Sequence, residues 1–253
     1  MSRGIMRSTV VSLSLLAFGT VGWGDDSPNI DPLALQVLRA VCDSVKKSDQ
    51  FSFRAIVAKE RLGTNGQIIT TFNDQHIAVD GPDKIRVDYK SAFADVTLYY
   101  NDGNAVLYAP AEKLYATLDA GKSIDQVLDN LDKRDIQVPM APILRSDPYP
   151  MLIDGLKSAA VIGRSEVAGK IYHHLAFTES DTEWQVWVEA GDRPTPRRLE
   201  IVYKDLPREP RVTVDFLEWN LNANLSPDSF TFHKPQDAKQ IEFIKVRVKE
   251  GGD

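Results

Sequence analysis

The sequence predicts a mostly antiparallel β fold: one large twisted sheet partly covered by helices. Three observations carry that reading. About eleven segments alternate apolar and polar residues at a period of two, with Gly, Pro, Asn and Asp between them. Helical spacing is confined to one stretch before the first strand and to a middle region between two strand blocks. Nothing alternates as strand, helix, strand, which argues against a parallel nucleotide-binding sheet.

Asp31-Pro32 opens the first helix, since Asp caps and Pro suits the first turn. Ala34, Val37, Leu38, Val41 and Val45 then form a one-sided stripe up to about Lys47. The period changes at Phe51, where Phe51, Phe53, Ala55 and Val57 alternate with Ser52, Arg54 and Ala58. Gly63-Thr64-Asn65-Gly66 turns the chain into a strand through Ile77 and Val79. Shorter strands follow at Ile85–Tyr89, Val96–Tyr100, Ala105–Ala109 and Leu114–Leu118.

In the middle region, Ser123 and Gln126 have the spacing of a capping box, and Ile124, Val127, Leu128 and Leu131 share one helical face. Asp147-Pro148 opens a short helix towards Leu156. Strands resume at about Ala159–Val167, Ile171–Thr178, Glu183–Glu189, Arg198–Lys204 and Arg211–Asn220.

Residues 1–24 have the pattern of a secretory signal: Arg3 and Arg7, then an uncharged run from Ser8 to Val21, then Gly22 and Gly24 before Asp25. The run is shorter than the roughly 20 residues that span a bilayer, so cleavage is expected rather than anchoring. Residues 25–253 are read as one domain, with about 244–253 as a flexible tail. Losing the two arginines moves the net charge from −6 to about −8. An acidic chain with only short basic patches, Arg197-Arg198 and Lys245 to Lys249, does not suit nucleic acid, because phosphate contacts need clustered cations. The single cysteine, Cys42, falls on the apolar side of the first helix, where burial makes a thiol inert.

Motifs for catalysis are missing. There is no Gly-x-Ser-x-Gly elbow, no His-Glu-x-x-His and no phosphate loop, so neither an enzyme nor a cofactor is expected. The histidines are His76, His173, His174 and His233. Neighbours on a strand face opposite ways, so His173 and His174 do not share a metal, and a hydrogen-bonded structural role is expected. Asp25-Asp26 and the pair Glu179 and Asp181 lie in predicted termini or turns and read as solvated.

A longer string carries a resemblance. Gly169-Lys170-Ile171-Tyr172-His173-His174-Leu175-Ala176-Phe177 is followed by Trp184-Gln185-Val186-Trp187-Val188 and by Pro196-Arg197-Arg198-Leu199 with Tyr203-Lys204. Trp219-Asn220-Leu221-Asn222, Phe230-Thr231-Phe232, Asp31-Pro32-Leu33-Ala34-Leu35 and Ser146-Asp147-Pro148-Tyr149 complete it. This resembles the bacterial domain-of-unknown-function family 2092 of predicted periplasmic proteins, from Asp31 to Phe243. That family is similar to the superfamily of LolA-type lipoprotein carriers, with LolB-type receptors and RseB-type stress sensors. The resemblance implies a periplasmic LolA-like incomplete antiparallel β-barrel, with helices over its concave face, that holds acyl chains or other lipids. It carries no functional residues with it.

Alternation within the strands selects cavity-facing candidates: Phe53, Val57, Val87, Tyr89, Leu98, Tyr100, Leu175, Phe177, Val186, Val188, Ile201, Tyr203, Val214 and Phe216. Leu128 joins them from the middle helix. That helix and the short one near Met151 are expected on the concave face as a lid. Tyr99 and Trp187, on the opposite strand faces, suggest apolar exposure there. The expected function is non-catalytic binding of a lipid, acyl chain or other hydrophobic small molecule. The alternative is an interaction module or RseB-like sensor whose partner is an envelope lipoprotein or membrane protein.

Overall fold

Two antiparallel meanders meet edge to edge in a single open sheet. The computed structural model describes residues 28–133, 138–167 and 169–242. The predicted signal at 1–24, Asp25-Asp26, the Lys245–Lys249 patch and the tail at 244–253 lie outside the described residues. The first meander is β2 (Gln50–Leu62), β3 (Ile68–Asp80), β4 (Lys84–Ser91), β5 (Asp95–Asn101), β6 (Asn104–Ala109) and β7 (Leu114–Asp119). The second is β8 (Ser158–Val167), β9 (Lys170–Thr178), β10 (Thr182–Glu189), β11 (Thr195–Tyr203) and β12 (Arg211–Asn220). These eleven match the strands expected from alternation. They join where β12 pairs antiparallel with β2, as at Val214 with Val57.

Two strands of two residues were not foreseen: β1 (Asn29–Ile30) and β13 (Lys239–Gln240). Each is too short to show a period. They pair in parallel with β8 and β7 at the two outer edges, so the sheet does not close on itself. Covering edges in this way blunts strand-to-strand aggregation. The observed architecture is the open, mostly β arrangement that the resemblance implies.

Among the described residues, four α-helices sit on the concave face: α1 (Pro32–Lys46), α2 (Ile124–Asp132), α3 (Ala141–Leu144) and α4 (Pro148–Ile153). Asp31 caps α1 by accepting the Leu33 amide at 2.8 Å. The α1 stripe of Ala34, Leu38, Val41 and Cys42 packs over β8–β10 against Leu175, Phe177 and Val186, with Tyr149 of α4 beside it. Ile124, Val127 and Leu128 of α2 pack over the first meander with Ile77, Ile85 and Tyr100. Each such large apolar side chain, fully buried, contributes about 1.5–3 kcal/mol.

The capping box at α2 differs from the expected one. The Gln126 amide donates to Ser123 Oγ at 3.3 Å, but Gln126 Oε1 accepts from the Lys122 amide, one residue before the cap. Gly121 at φ +76° lets the chain turn there, because a side chain would strike Gln126. The helix expected up to Leu156 ends at Ile153, since Asp154 is extended and Gly155 takes φ +72°.

The convex face is polar along the middle strands. Arg198 pairs with Asp215 at 2.8 Å, Arg211 with Glu200 at 3.1 Å and Lys204 with Glu183 at 3.0 Å. Arg54 holds Asp74 and reaches Glu218. The Arg197-Arg198 patch is thus engaged with Asp215. Tyr99 and Trp187, expected to leave apolar surface exposed, are half-exposed and each has an aromatic partner. Phe232 packs among Tyr99, Tyr108 and Tyr115 with centroids 5.2–5.7 Å away, as the C-terminal segment crosses β5 to β7. Trp187 stacks on His174 at 4.3 Å.

Candidate ligand cavities on the concave face

Alternation along β10, β11 and β12 points one set of side chains at the helices, and between the two layers the packing is incomplete. A first cavity of about 290 Å³ lies between α1, α3, α4 and the strands β10–β12. Trp184 and Val186 of β10, Leu199, Ile201 and Tyr203 of β11, and Phe216 of β12 form its floor. Leu38, Val41 and Cys42 of α1 and Ile143 of α3 form its roof, and the exposed Met151 stands at its rim. A second cavity of about 280 Å³ lies under α2. Its walls include Val87 and Tyr89 of β4, Leu98 of β5, and Val127, Leu128 and Leu131 of α2.

Pro139 and Met140 line both cavities and separate them. Met140 is almost wholly buried. Each volume is near the lower end of ordinary ligand pockets, about 300–1,000 Å³.

Of the residues singled out by alternation, Val186, Ile201, Tyr203 and Phe216 line the first cavity. Val87, Tyr89, Leu98 and Leu128 line the second. Phe53, Val57, Tyr100, Leu175, Phe177, Val188 and Val214 also belong to the helix-facing core, but they are packed solid and line neither cavity. Period-two patterning finds which face is inward and cannot tell core from cavity wall. Trp184, which shares its face with Val186, lines the first cavity but was not among the candidates. Pro139 and Met140 sit between elements, where no period exists to reveal them.

One polar group corrects the sequence reading. Glu179 is in the β9–β10 turn as expected, yet it is half-buried and lines the first cavity instead of facing solvent. Its carboxylate accepts from Trp184 Nε1 at 2.8 Å and from Thr182 Oγ1 at 3.3 Å. Trp184, itself stacked on Phe177 at 3.9 Å, therefore fixes the carboxylate in place. Burial, with help from Asp205, pushes the Tyr203 phenol above its ordinary range. Burial also pushes the Cys42 thiol up to about 12, so it stays protonated and unreactive.

His173 and His174 do point to opposite faces. His174 Nε2 is 2.8 Å from Gln185 Oε1, which with the Trp187 stack makes it a structural group. Among the described residues no three His, Cys, Asp or Glu side chains converge as a metal site. No helix of the described residues is long and apolar enough to cross a membrane.

Similar solved structures include an uncharacterized conserved protein from Thermus thermophilus, 11% identical, covering 83% of this chain and 99% of that one, with a TM-score of 0.48. The Mycobacterium tuberculosis lipoprotein LppX is 15% identical over 78% of this chain and 100% of its own, with a TM-score of 0.45. A LolA superfamily protein from Nitrosomonas europaea is 11% identical over 79% and 97%, with a TM-score of 0.40. Likeness at this level bears on neither ligand nor partner. No curated protein sequence matches. Residues 34–244, nearly the whole of the described chain, match the family described as predicted periplasmic protein (DUF2092), and the chain belongs to that periplasmic family.

Proposed function

We propose that this protein, exported by the signal at 1–24 and folded as one domain over 25–253, is a non-catalytic binding protein for an acyl chain or similar apolar ligand. One observation carries the reading: two apolar cavities lie side by side between the helices and the concave face. Protein interiors pack like organic crystals, with few voids larger than a water molecule. Two such spaces under short helices on one sheet are better explained as room for a guest than as core. Each methylene transferred from water into such a site contributes about 0.8 kcal/mol, so a partly buried chain binds usefully.

The test is mass spectrometry of organic extracts from natively purified protein, with thermal shifts on adding fatty acids, alcohols and phospholipids. Co-purifying lipid or a rise in melting temperature is expected. Repeated absence of both counts against the reading.

A second reading, an envelope interaction module, has its own observation. Phe72 and Phe93 are 62% and 66% exposed beside an open depression that Ile56 and Lys90 also line. Exposed aromatic pairs of this kind mark contact surfaces. A pull-down from envelope extracts that loses a stoichiometric partner on Phe93→Ser supports it, and no partner at all removes it.

A further inference from the structure

The first cavity is apolar along its length and polar at one end only. Its inward rungs run from Thr182–Tyr203 through Trp184–Ile201 to Val186–Leu199, following the β10–β11 register. Glu179 sits at the Thr182–Tyr203 end, where its two carboxylate oxygens are aimed by Trp184 and Thr182. Among the described residues the Tyr203 hydroxyl makes no hydrogen bond. At the other end are Pro196, Phe216 and Met140, which offer no side-chain hydrogen bond.

The charge of the walls is one-sided. Among the described residues, no Lys, Arg or His lines either cavity. Lys204, adjacent to Tyr203 in sequence, is turned to the convex face and paired with Glu183 at 3.0 Å. Asp205 adds to the negative field around Tyr203. A fatty-acid carboxylate or a phosphate placed here meets a carboxylate and no countercharge, and like charges at close range repel.

Resting on the apolar-ligand reading above, we infer that the first cavity takes a single acyl or alkyl chain whose head is uncharged or cationic and bears a hydrogen-bond donor. Glu179 accepts from that head, the Tyr203 hydroxyl offers the complementary donor or acceptor, and the tail lies towards Met140 and Phe216. Free fatty acids and phosphate monoesters of the same chain length are rejected.

The test uses the full mature chain and displacement of bound N-phenyl-1-naphthylamine, an uncharged apolar probe, by three ligands of equal chain length at neutral pH. These are dodecanol, dodecylamine and dodecanoate. Dodecanol and dodecylamine are expected to compete at least about tenfold more tightly than dodecanoate, the size of one modest charge repulsion. Glu179→Gln, which keeps an acceptor for Trp184, should narrow the gap to under about threefold by improving dodecanoate. Tyr203→Phe, which removes a hydroxyl that either head can use, should weaken dodecanol and dodecanoate alike severalfold and leave the gap in place.

Dodecanoate binding as tightly as dodecanol to the unaltered protein overturns the inference and leaves the apolar-ligand reading standing. A preference that survives Glu179→Gln in a folded variant also overturns it. Failure of the probe and all three ligands to bind overturns the reading and the inference together. If either variant does not fold, the ligand comparison on the unaltered chain still decides.

Discussion

Trp219 stacks on Phe53 with ring centroids 4.4 Å apart, and it does so only because the strand that carries it is broken. Phe216, three residues earlier, faces the same side and lies 5.9 Å from Trp219. In a regular strand residues at odd spacing point to opposite faces. The register between β12 and β2 shifts between Leu217 and Asn220, and Glu218 takes φ +54°. The extra residue turns Trp219 inward, where its Nε1 donates to the Pro196 carbonyl at 2.9 Å.

If Trp219 packing holds this bulge, Glu218 is a strained bystander. Glu218→Gly should leave stability unchanged or raise it by up to about 1 kcal/mol, because glycine adopts positive φ freely. The exposed contact with Arg54 offers little to lose, since solvent screens it. Glu218→Val should cost about 1–3 kcal/mol. Urea unfolding measures both, and a large loss in the glycine variant would show that Glu218 itself holds the bulge.

Phe232 closes the convex face over Tyr99, Tyr108 and Tyr115, so the C-terminal segment is structural. Phe232→Ala should cost about 1–3 kcal/mol, the range for losing a partly buried aromatic cluster. Ending the chain after Asn224 should cost more, because the buried Phe230 goes with it. Unchanged denaturant midpoints in both variants would mean that the segment merely rests on the sheet.

That segment marks where the sequence stopped being legible. The eleven long strands and the α1 and α2 stripes were readable because each repeats a period over enough residues to show its buried face. Tyr99 was readable as the outward residue of β5, but its cover was not. Phe232 comes 133 residues later in the chain, from a stretch without strand or helix periodicity. Glu179 was misjudged for a different reason: a turn residue is solvated unless a neighbouring side chain claims it, and Trp184, five residues on, does. Met140 divides the cavities from a linker where patterning carries no signal.

Acid should weaken the convex face at one named pair. Hydrogen bonds from Arg54 hold the Asp74 carboxyl below its ordinary range. A carboxyl depressed in the folded state contributes stability above its unfolded pKa, about 3.9, and loses it as pH falls through the folded value. Asp74 keeps 36% of its side chain exposed, so solvent screens the pair and the effect is small. Asp74→Asn should lower the urea midpoint at pH 7 and differ less from the unaltered protein at about pH 2.5, which is below the unfolded pKa of an aspartate. An equal gap at both pH values would remove the pair from the acid response.

Cys42 should behave as a buried apolar group although it lines the first cavity. With its pKa pushed up to about 12, the thiolate nucleophile is scarce at mildly alkaline pH. A disulfide reagent such as dithiobis-nitrobenzoate should leave the native protein unlabelled over minutes and label it fully in guanidinium. Rapid native labelling would show that α1 lifts and admits water to the cavity. Slowing of that labelling by dodecanol would then report ligand occupancy directly.

Met140 is the side chain whose loss should join the two cavities, since with Pro139 it walls both and is only 2% exposed. Met140→Ala should destabilise the fold by about 2–5 kcal/mol, the usual cost of a large-to-small change in a core. Met140→Leu conserves volume and should cost under about 1.5 kcal/mol while keeping the division. Under the proposed function, the unaltered protein and the leucine variant should share one optimum in a series of alcohols of increasing chain length. The alanine variant should shift that optimum to longer chains, because added methylenes then enter the second cavity instead of water. Such a shift with the leucine optimum unmoved ties chain length to the partition. An identical optimum in all three proteins would mean that the chain stops short of Met140, or leaves through the rim at Met151.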